Sequence, residues 1–359
     1  MRNGADELTV TEAGEAEVLR RIVARLGEAE RAMLGPGDDC AVLRFSGDAV
    51  VTTDTMIEGP DFRLAWHSGF ELGWKLAATN LSDVAAMGAA PTALTVAFAC
   101  PGETPVALLE EIARGLDAAC RELAPGCGVI GGDLARAPAL TASVTALGEL
   151  DGYPPVLRSG ARAGDAVAYA GQLGLAGLGL SLLFAESADP DGVAHADGLT
   201  GIRTRHPAAL AAQLAPEPPI HLGMRAARAG ATAMLDVSDG LTLDAARIGR
   251  ASSVLLDLDP LALHAAFGEQ NGESVPLDAM LYGGEDHGLL ATFPADAALP
   301  EGFSRIGTVR DGAAQDVAAQ DGAAQDGAAP SGSATELLLA GEPCEVRGWD
   351  PFTVRLPGG

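Results

Sequence analysis

Residues 70–99 read FELGWKLAATNLSDVAAMGAAPTALTVAFA. The first part, 70–87, predicts a helix with mixed faces, and 92–99 is an apolar run with the length and composition of a strand. A helix that leads directly into such a strand is typical of α/β proteins. This stretch therefore indicates the fold class.

The segments around this stretch continue the alternation. An amphipathic helix is predicted over 11–26, where apolar residues recur at the i, i+3, i+4 spacing of one helix face. The other predicted elements are strands at 40–45 and 49–53, a helix at 105–123, and strands at 128–130 and 139–150. After the opening helix the order is ββαβαββ, which predicts an α/β domain over residues 1–150.

A second α/β domain is predicted over 151–359. The turn-forming sequence GYPP at 152–155 marks its start. Its predicted strands are 166–170, 231–235, 254–258 and 288–292, and its predicted helices lie near 175–183, 221–229 and 241–251. The predicted fold class is therefore α/β (α+β), with two domains in series.

One segment of the second domain has a different composition. Between Val309 and Thr335 the chain repeats approximately Asp-Gly-Ala-Ala-Gln and lacks large apolar residues. Such a segment buries too little apolar surface to offset the entropy of ordering it. The repeat therefore predicts a disordered surface insert near 311–334 that carries no functional residues.

The charge balance restricts the partners of the chain. Its 359 residues include 23 Lys and Arg against 49 Asp and Glu, which gives a formal net charge of −26. Such a protein repels nucleic acid and anionic membrane surfaces at long range, so neither is an expected partner. If the ligand is a polyanion such as ATP, divalent cations have to mediate its binding.

Cysteine usage and the N-terminal residues indicate the compartment. The five cysteines are odd in number and form no Cys-x-x-Cys pair, which predicts reduced thiols. Residues 1–30 are rich in acids and lack an apolar core of signal-peptide length. Glycines and Pro91 interrupt the longest uncharged runs. We therefore expect a cytoplasmic protein without a membrane span.

Acidic residues recur where strands or loops meet glycine or the start of a helix. They lie in GPGDD (35–39), TTD (52–54), NLSD (80–83), GGD (131–133) and DVSDG (236–240). Any single Gly-Asp pair is more often a turn or a helix cap than a ligand. Two of these clusters, however, directly follow apolar strands, as a metal and phosphate site requires. Carboxylates and hydroxyls are hard oxygen donors that suit Mg²⁺.

Several other kinds of site do not fit the sequence. The chain contains no G-x-x-x-x-G-K-[ST] phosphate loop, no G-x-S-x-G nucleophile elbow and no H-E-x-x-H zinc motif. The run from Gly171 to Gly177 differs from a dinucleotide-binding fingerprint because its glycine spacing is wrong and no suitable acid follows a second strand. These absences favour a site built on the acidic clusters.

Eight motifs in a fixed order carry a resemblance to a known family. They are GPGDDCAVL (35–43), TTDTMIEG (52–59), GWKLAATNLSDVAAMGA (73–89), IGGDLAR (130–136), LRSGARAGD (157–165), MLDVSDGL (234–241), LYGGED (281–286) and GWDPF (348–352). In this order they resemble the motif series of bacterial thiamine-monophosphate kinases. The resemblance implies ATP-dependent phosphorylation of thiamine monophosphate to thiamine diphosphate, by direct in-line transfer assisted by Mg²⁺.

The resemblance also implies a fold and a set of site residues. The fold is similar to that of aminoimidazole ribonucleotide synthetase, with N-terminal sheets that pair in a homodimer and an active site between the two domains. Several Mg²⁺ ions are implied at Asp39, Thr52, Thr53, Asp54, Asp83, Asp133, Asp236 and Asp239. ATP is implied to contact Gly132, Asp133, Arg158 and Ser238. The substrate thiamine monophosphate is implied to contact Asp61, Glu285 and Trp349.

The chain departs from the family pattern at three places. The family often has a substrate-contacting histidine at the position of Asp61, and it commonly has Thr-Thr-Arg where this chain has LAR at 134–136. It also has Tyr-Glu where this chain has His287-Gly288. Taken alone, Asp61 and Glu285 also fit turn or cap residues, and Trp349 fits a residue that fastens the tail to the core.

Other functions remain alternatives at this point. Within the same superfamily they are aminoimidazole ribonucleotide synthetase, selenophosphate synthetase and the hydrogenase maturation dehydratase. Selenophosphate synthetase requires a reactive cysteine or selenocysteine near the N-terminus, and no cysteine precedes Cys40. The purine enzyme has a glycine-rich strand end that TTDTM at 52–56 does not match. A further alternative is a catalytically inactive homologue that binds nucleotide or metal.

Overall fold

The computed structural model describes residues 8–312 and 336–349, in which the chain forms a two-domain α/β fold. The elements of the N-terminal domain are α1 (Val10–Ala13), α2 (Glu15–Val23), β1 (Ala32–Leu34), β2 (Val42–Leu43), β3 (Ala49–Ile57), α3 (Gly69–Ala86), β4 (Ala90–Cys100), α4 (Val106–Leu123), β5 (Gly128–Arg136) and β6 (Thr141–Glu149). The elements of the C-terminal domain are β7 (Ala166–Ala170), α5 (Leu175–Glu186), α6 (Leu199–Arg205), α7 (Pro207–Leu214), α8 (Ile220–Arg228), β8 (Ala233–Val237), α9 (Leu241–Ser252), β9 (Leu255–Leu258), α10 (Pro260–Phe267), β10 (Glu269–Gln270), β11 (Glu273–Ser274), α11 (Leu277–Tyr282), β12 (Gly288–Phe293), β13 (Phe303–Arg310), β14 (Leu337–Leu339) and β15 (Glu342–Pro343).

The N-terminal domain is built on a four-stranded sheet that helices cover on one face. The strand order is β3-β6-β4-β5, and β4 and β5 are its parallel pair. Along β6 the side chains of Ala142, Val144 and Ala146 are buried, while the residues between them are only partly buried. Helices α3 and α4 pack on the buried face. Strands β1 and β2 cover one end of the other face around Ala93 and Leu147, whereas Val51 on β3 is 70% exposed on that face.

Helix α3 is the central element of the molecule. Ser68 caps its N-terminus. The Ser68 hydroxyl accepts the backbone N–H of Glu71, and the Glu71 carboxylate accepts the Ser68 N–H. Fifteen of its 18 residues are buried, because the sheet, α4 and the C-terminal helix α8 each pack against it. This burial on all sides explains why its sequence shows mixed faces instead of one apolar stripe.

Two glycines let α3 and α4 pack backbone against backbone. A Cβ atom on Gly73 would overlap the carbonyl oxygen of Ile112, and a Cβ atom on Gly115 would overlap that of Phe70. Only glycine permits such an approach without moving one of the helices. The position of α3, and therefore of the acids that it carries, depends on this contact.

The C-terminal domain is built on a seven-stranded sheet. Its strand order is β15-β14-β9-β13-β7-β12-β8, and β14 and β9 are its parallel neighbours. Strands β7, β8 and β12 are buried on both faces. One face packs against α5, α9 and α11, and the other packs against α8, which also contacts α3. Helix α8 therefore connects the two domains.

Most of the predicted helices and strands are confirmed to within a few residues. The single helix predicted over 11–26 is wrong, because Gly14 has a φ of 75° and divides it into α1 and α2. The strand predicted at 128–130 is too short, since β5 pairs with β4 along its whole length. The strand predicted at 40–45 is reduced to β2. From residue 313 the predicted disordered insert lies outside the described residues.

Two general properties follow from the described residues. No helix among them has the length and hydrophobicity to cross a membrane. All five cysteines are free, and Cys100, Cys120 and Cys127 are buried.

Candidate active site

Carboxylates from three elements meet where the two domains face each other. Asp54 lies on β3, Asp83 near the end of α3, and Asp236 on β8. The hydroxyl Oγ1 of Thr52 donates to the Asp83 carboxylate at 2.9 Å, which ties α3 to β3. Because α3 packs against both sheets, it brings the acid of β8 close to that of β3.

These acids carry more negative charge than their surroundings balance. Burial is the largest cause that raises the pKa of Asp83 to about 7, followed by the charges of Asp236 and Asp54. Burial also raises the pKa of Asp54, and the charge of Asp236 adds to that effect. Two buried carboxylates that resist ionisation, Asp54 and Asp83, beside the third acid Asp236 are the surroundings expected of a cation-binding site.

Asp236 is the member of this group that has firm partners. Its Oδ2 atom accepts a hydrogen bond from Ser82 Oγ at 2.8 Å and lies 3.2 Å from His287 Nδ1. Burial raises the pKa of Asp236, but the hydrogen bond and charge of His287 outweigh it, so that the pKa lies below its ordinary value. Asp236 is therefore ionised within the buried contact between the domains.

The loop after β8 carries a second acid. Asp239 forms an ion pair of 2.7 Å with Arg247 of α9, and its backbone N–H donates to the buried carboxylate of Asp244. The Ser238 carbonyl oxygen accepts the backbone N–H of Glu285 at 2.8 Å. The loop is thus fixed by α9 on one side and by the turn before β12 on the other.

Glu285 lies on that turn and is held by two side chains. Its carboxylate oxygens contact Lys75 Nζ at 2.6 Å and Gln213 Nε2 at 2.7 Å. Lys75 is fully buried on α3 and also donates to the Gln213 carbonyl oxygen. Burial raises the pKa of Glu285, yet the charge of Lys75 lowers it overall. A ligand at Glu285 would therefore meet a carboxylate whose charge is largely balanced by Lys75.

Asp61 makes a local contact. Its Oδ2 atom accepts the backbone N–H of Ile57 at 2.8 Å, which closes the turn after β3. Burial raises the pKa of Asp61, and the charge of Glu285 raises it further. Asp61 therefore supports its own turn and also lies close to Glu285. Its contact with a substrate stays a prediction.

Trp349 lies beside the loop that follows β8. Its backbone N–H donates to the Asp239 carbonyl oxygen at 2.9 Å. A Cβ atom on the preceding Gly348 would overlap the same carbonyl oxygen and approach Leu243, so the tail packs directly on this loop. The structure places the Trp349 backbone beside Asp239, and the role of the indole toward a substrate stays a prediction. The remainder of the GWDPF motif lies outside the described residues.

Some predicted site residues lie apart from this group. Asp133 is in register with Ala97 of β4, which pairs with Ser143 of β6, whereas Asp54 pairs with the adjacent residue, Val144. Side chains alternate between the faces of a sheet, so Asp133 lies on the face opposite to Asp54. The Thr53 hydroxyl is on that opposite face as well, where it contacts the Thr145 hydroxyl at 3.1 Å.

The remaining predicted residues are Asp39, Arg158 and Gly132. Asp39 is exposed in its loop, where its backbone N–H donates to Asp38 at 2.9 Å. Arg158 is exposed, and its charge is close enough to help lower the pKa of Asp236. Gly132 packs so closely on the Val96 carbonyl that a Cβ atom would overlap it.

Sequence reasoning missed a polar stripe on α3. Lys75, Thr79 and Ser82 follow the spacing i, i+4, i+7 of one helix face, and all three are buried. They contact Glu285 and His287 on the turn before β12. Three polar residues at helical spacing within an otherwise apolar helix are the pattern that predicts such a contact.

The residues His287 and Gly288 differ from the family pattern for separate reasons. The His287 ring contacts Asp236, as described above. A Cβ atom on Gly288 would overlap the hydroxyl of Tyr169, which is fully buried and donates to the Gln172 carbonyl oxygen at 2.6 Å. The glycine is therefore required by the packing of Tyr169.

The acids do not form a closed metal cage. Within residues 8–312 and 336–349, no three histidine, cysteine or carboxylate side chains converge closely enough to hold one metal ion. The carboxylates instead line the cleft. Mg²⁺ commonly uses one or two carboxylates and completes its shell with water and substrate phosphates, so this arrangement fits a Mg²⁺–nucleotide site.

Comparisons with known proteins relate the chain to one family. The family described as AIR synthase related protein, N-terminal domain, matches residues 37–150. The thiamine-monophosphate kinase of Mycobacterium tuberculosis (strain H37Rv) is 38% identical over 309 residues, which cover 84% of this chain and 87% of that protein. The crystal structure of thiamine-monophosphate kinase from Stenotrophomonas maltophilia has a TM-score of 0.69 and 30% identity, and it covers 91% of this chain and 96% of its own. The structure of AaThiL complexed with AMPPCP and TMP has a TM-score of 0.66 and 26% identity over 96% of this chain and 99% of its own.

Proposed function

The chain belongs to the thiamine-monophosphate kinase family, and we propose that its cleft transfers the γ-phosphoryl group of ATP directly to thiamine monophosphate. The observation that carries this proposal is the meeting of Asp54, Asp83 and Asp236, which the two domains contribute jointly. A phosphoryl transfer between two anions needs positioning and neutralisation of charge more than it needs a nucleophile on the protein.

Mg²⁺ fits the donor set of the cleft. The residues that would hold it are Asp54, Asp83, Asp236 and Asp239, with Asp39 and Thr52 as further predicted ligands. Thr53 and Asp133 are also predicted ligands, but they lie on the face of the sheet opposite to Asp54 and are not assigned to the same cation. When bound, Mg²⁺ supplies positive charge against the β- and γ-phosphates and the acceptor phosphate. The raised pKa values of Asp54 and Asp83 support this assignment, because a cation among these acids would relieve their repulsion.

The nucleotide side of the cleft is assigned to Arg158, Gly132 and Ser238. Arg158 would give a fixed positive charge to the phosphates, and Gly132 would contact the nucleotide through its backbone. Ser238 would donate a hydrogen bond from its hydroxyl. Arg247 keeps Asp239 in place, since it joins that acid to α9.

The acceptor side is assigned to Glu285, Trp349 and Asp61. Because Lys75 balances the charge of Glu285, that carboxylate would act on the substrate mainly as a hydrogen-bond acceptor. The Trp349 indole would give an aromatic face to the cationic thiazolium ring. Asp61 would add negative charge beside it.

We also propose that two copies of the chain pair through their N-terminal sheets. The face of that sheet opposite to the helices carries exposed apolar residues such as Val51 and Ile57, and a second copy would remove them from water. Free cysteines support a cytoplasmic location.

The proposal is tested by the products of the purified protein. Incubation with ATP, thiamine monophosphate and Mg²⁺ should give thiamine diphosphate and ADP by mass spectrometry, and EDTA should prevent the reaction. Turnover of formylglycinamidine ribonucleotide with none of thiamine monophosphate would favour aminoimidazole ribonucleotide synthetase instead. Binding of ATP without any turnover would favour an inactive homologue.

A further inference from the structure

The turn before β12 has an unusual backbone. Glu285 and His287 have φ values of 69° and 53°, which non-glycine residues rarely adopt. Asp286 between them accepts the backbone N–H groups of Gly174 and Ala176 and so caps α5. A left-handed conformation costs energy and persists only where the surroundings fix it. Here the side-chain contacts of Glu285, Asp286 and His287 fix the conformation of the turn.

The polar stripe of α3 meets two of these residues. Lys75 contacts Glu285 at 2.6 Å, whereas Thr79 and Ser82 contact His287 at 3.2 Å and 3.4 Å. The contact with Thr79 engages Nε2 of the ring, and the other side of the ring faces Asp236 through Nδ1. Because both nitrogens are engaged, the imidazole can take only one orientation.

Asp236 presents one oxygen to these partners. Ser82 Oγ at 2.8 Å and His287 Nδ1 at 3.2 Å both contact Oδ2. Within the described part of the chain, no donor contacts Oδ1. A carboxylate oxygen accepts about two hydrogen bonds, so Oδ2 is filled by the protein and Oδ1 stays free for a ligand.

We propose that His287 is a positioning residue that, with Ser82, holds Asp236 so that Oδ1 alone is presented to the cation of the nucleotide site. Without the imidazole the carboxylate could rotate about its Cβ–Cγ bond. The imidazole would thus fix the orientation of Asp236 as a cation ligand. In metal sites generally, hydrogen bonds from neighbouring residues orient the side chains that bind the metal. This inference rests on the proposed function, in which Asp236 holds Mg²⁺.

A matched pair of variants separates this function from simple packing. In His287→Asn the side-chain amide nitrogen occupies the place of Nδ1, so a donor to Asp236 is kept. In His287→Gln the amide lies farther out, at the place of Nε2, so the contact with Thr79 is kept and the donor to Asp236 is lost. Asparagine also tolerates positive φ well.

The measurement is calorimetric binding of AMPPCP at a series of MgCl₂ concentrations, without turnover. His287→Gln should raise the Mg²⁺ concentration needed for half-maximal binding about tenfold or more, and His287→Asn should stay within about threefold of wild type. KM for thiamine monophosphate, measured separately at saturating Mg²⁺, should be unchanged in both, because Lys75 and Gln213 hold Glu285 independently.

Equal Mg²⁺ requirements in wild type and His287→Gln would overturn the inference. An equal increase of the Mg²⁺ requirement in His287→Gln and His287→Asn would overturn it as well. If neither variant folds, Ser82→Ala tests the same oxygen. It should also raise the Mg²⁺ requirement, and an unchanged requirement there would refute the positioning function. A wild-type protein that binds AMPPCP without any dependence on Mg²⁺ would instead refute the proposed metal site.

Discussion

Replacement of Asp83 by asparagine should stabilise the metal-free protein while it removes most of the turnover. Asp83 is buried among acids, and within residues 8–312 and 336–349 its carboxylate accepts one side-chain hydrogen bond, from Thr52 Oγ1 at 2.9 Å. An asparagine oxygen can accept the same hydrogen bond, so the substitution removes the charge and keeps a partner for the Thr52 hydroxyl. The variant therefore isolates the electrostatic cost of this carboxylate.

The magnitude follows from the pKa of Asp83, which is about 7 in the fold against an ordinary value of 3.8. The folded state binds the proton more tightly, so ionisation of Asp83 destabilises the fold above pH 7, and this penalty disappears as the pH falls toward 3.8. At about 1.36 kcal/mol per pKa unit, the penalty is roughly 4 kcal/mol at pH 8.5 as an upper limit, and less than half of that at pH 5.

The assay is thermal unfolding in EDTA at both pH values. The Tm of Asp83→Asn should exceed that of wild type by the order of 5 °C at pH 8.5, and by less than half of that at pH 5. With Mg²⁺, turnover should be nearly abolished because a cation ligand is lost. An unchanged Tm at pH 8.5, or an equal rise at both pH values, would refute the reasoning. Turnover above half of the wild-type rate would show that Asp83 does not hold the cation.

Three further predictions concern the acceptor side and the core. Asp61→Asn keeps an acceptor for the Ile57 N–H, so it should raise KM for thiamine monophosphate several-fold and leave KM for ATP unchanged. Identical KM values in mutant and wild type would restrict Asp61 to its turn. Lys75→Met leaves the Glu285 carboxylate without its buried partner and should lower the free energy of unfolding by about 3–5 kcal/mol in urea denaturation. The double variant with Glu285→Gln should recover part of this loss, and no recovery would contradict the pairing. Gly73→Ala should lower Tm markedly, because its methyl group would overlap the α4 backbone, and an unchanged Tm would show that the helices can separate without cost.

The sequence by itself determined the local elements and the chemical character of the site. Strand β7 begins and ends at the predicted residues, and α3 differs from its prediction by one residue at each end. Such elements are predictable because side-chain periodicity and flanking turn residues act over a few positions. The motifs indicate the acids at 54, 83 and 236, since carboxylates with neighbouring hydroxyl groups are hard oxygen donors that suit Mg²⁺.

The tertiary structure alone decided which of these residues meet. The register of the N-terminal sheet placed Asp133 on the opposite face from Asp54, and a shift of one residue would have reversed this. Likewise, Asp236, the partner of His287, lies 51 positions earlier in the chain. Lys75, the partner of Glu285, lies on α3 in the other domain. Contacts between distant segments depend on how the domains pack, and packing depends on the whole chain at once. The spacing of Lys75, Thr79 and Ser82 indicates that they share one helix face, but only the tertiary structure shows that their partners are Glu285 and His287.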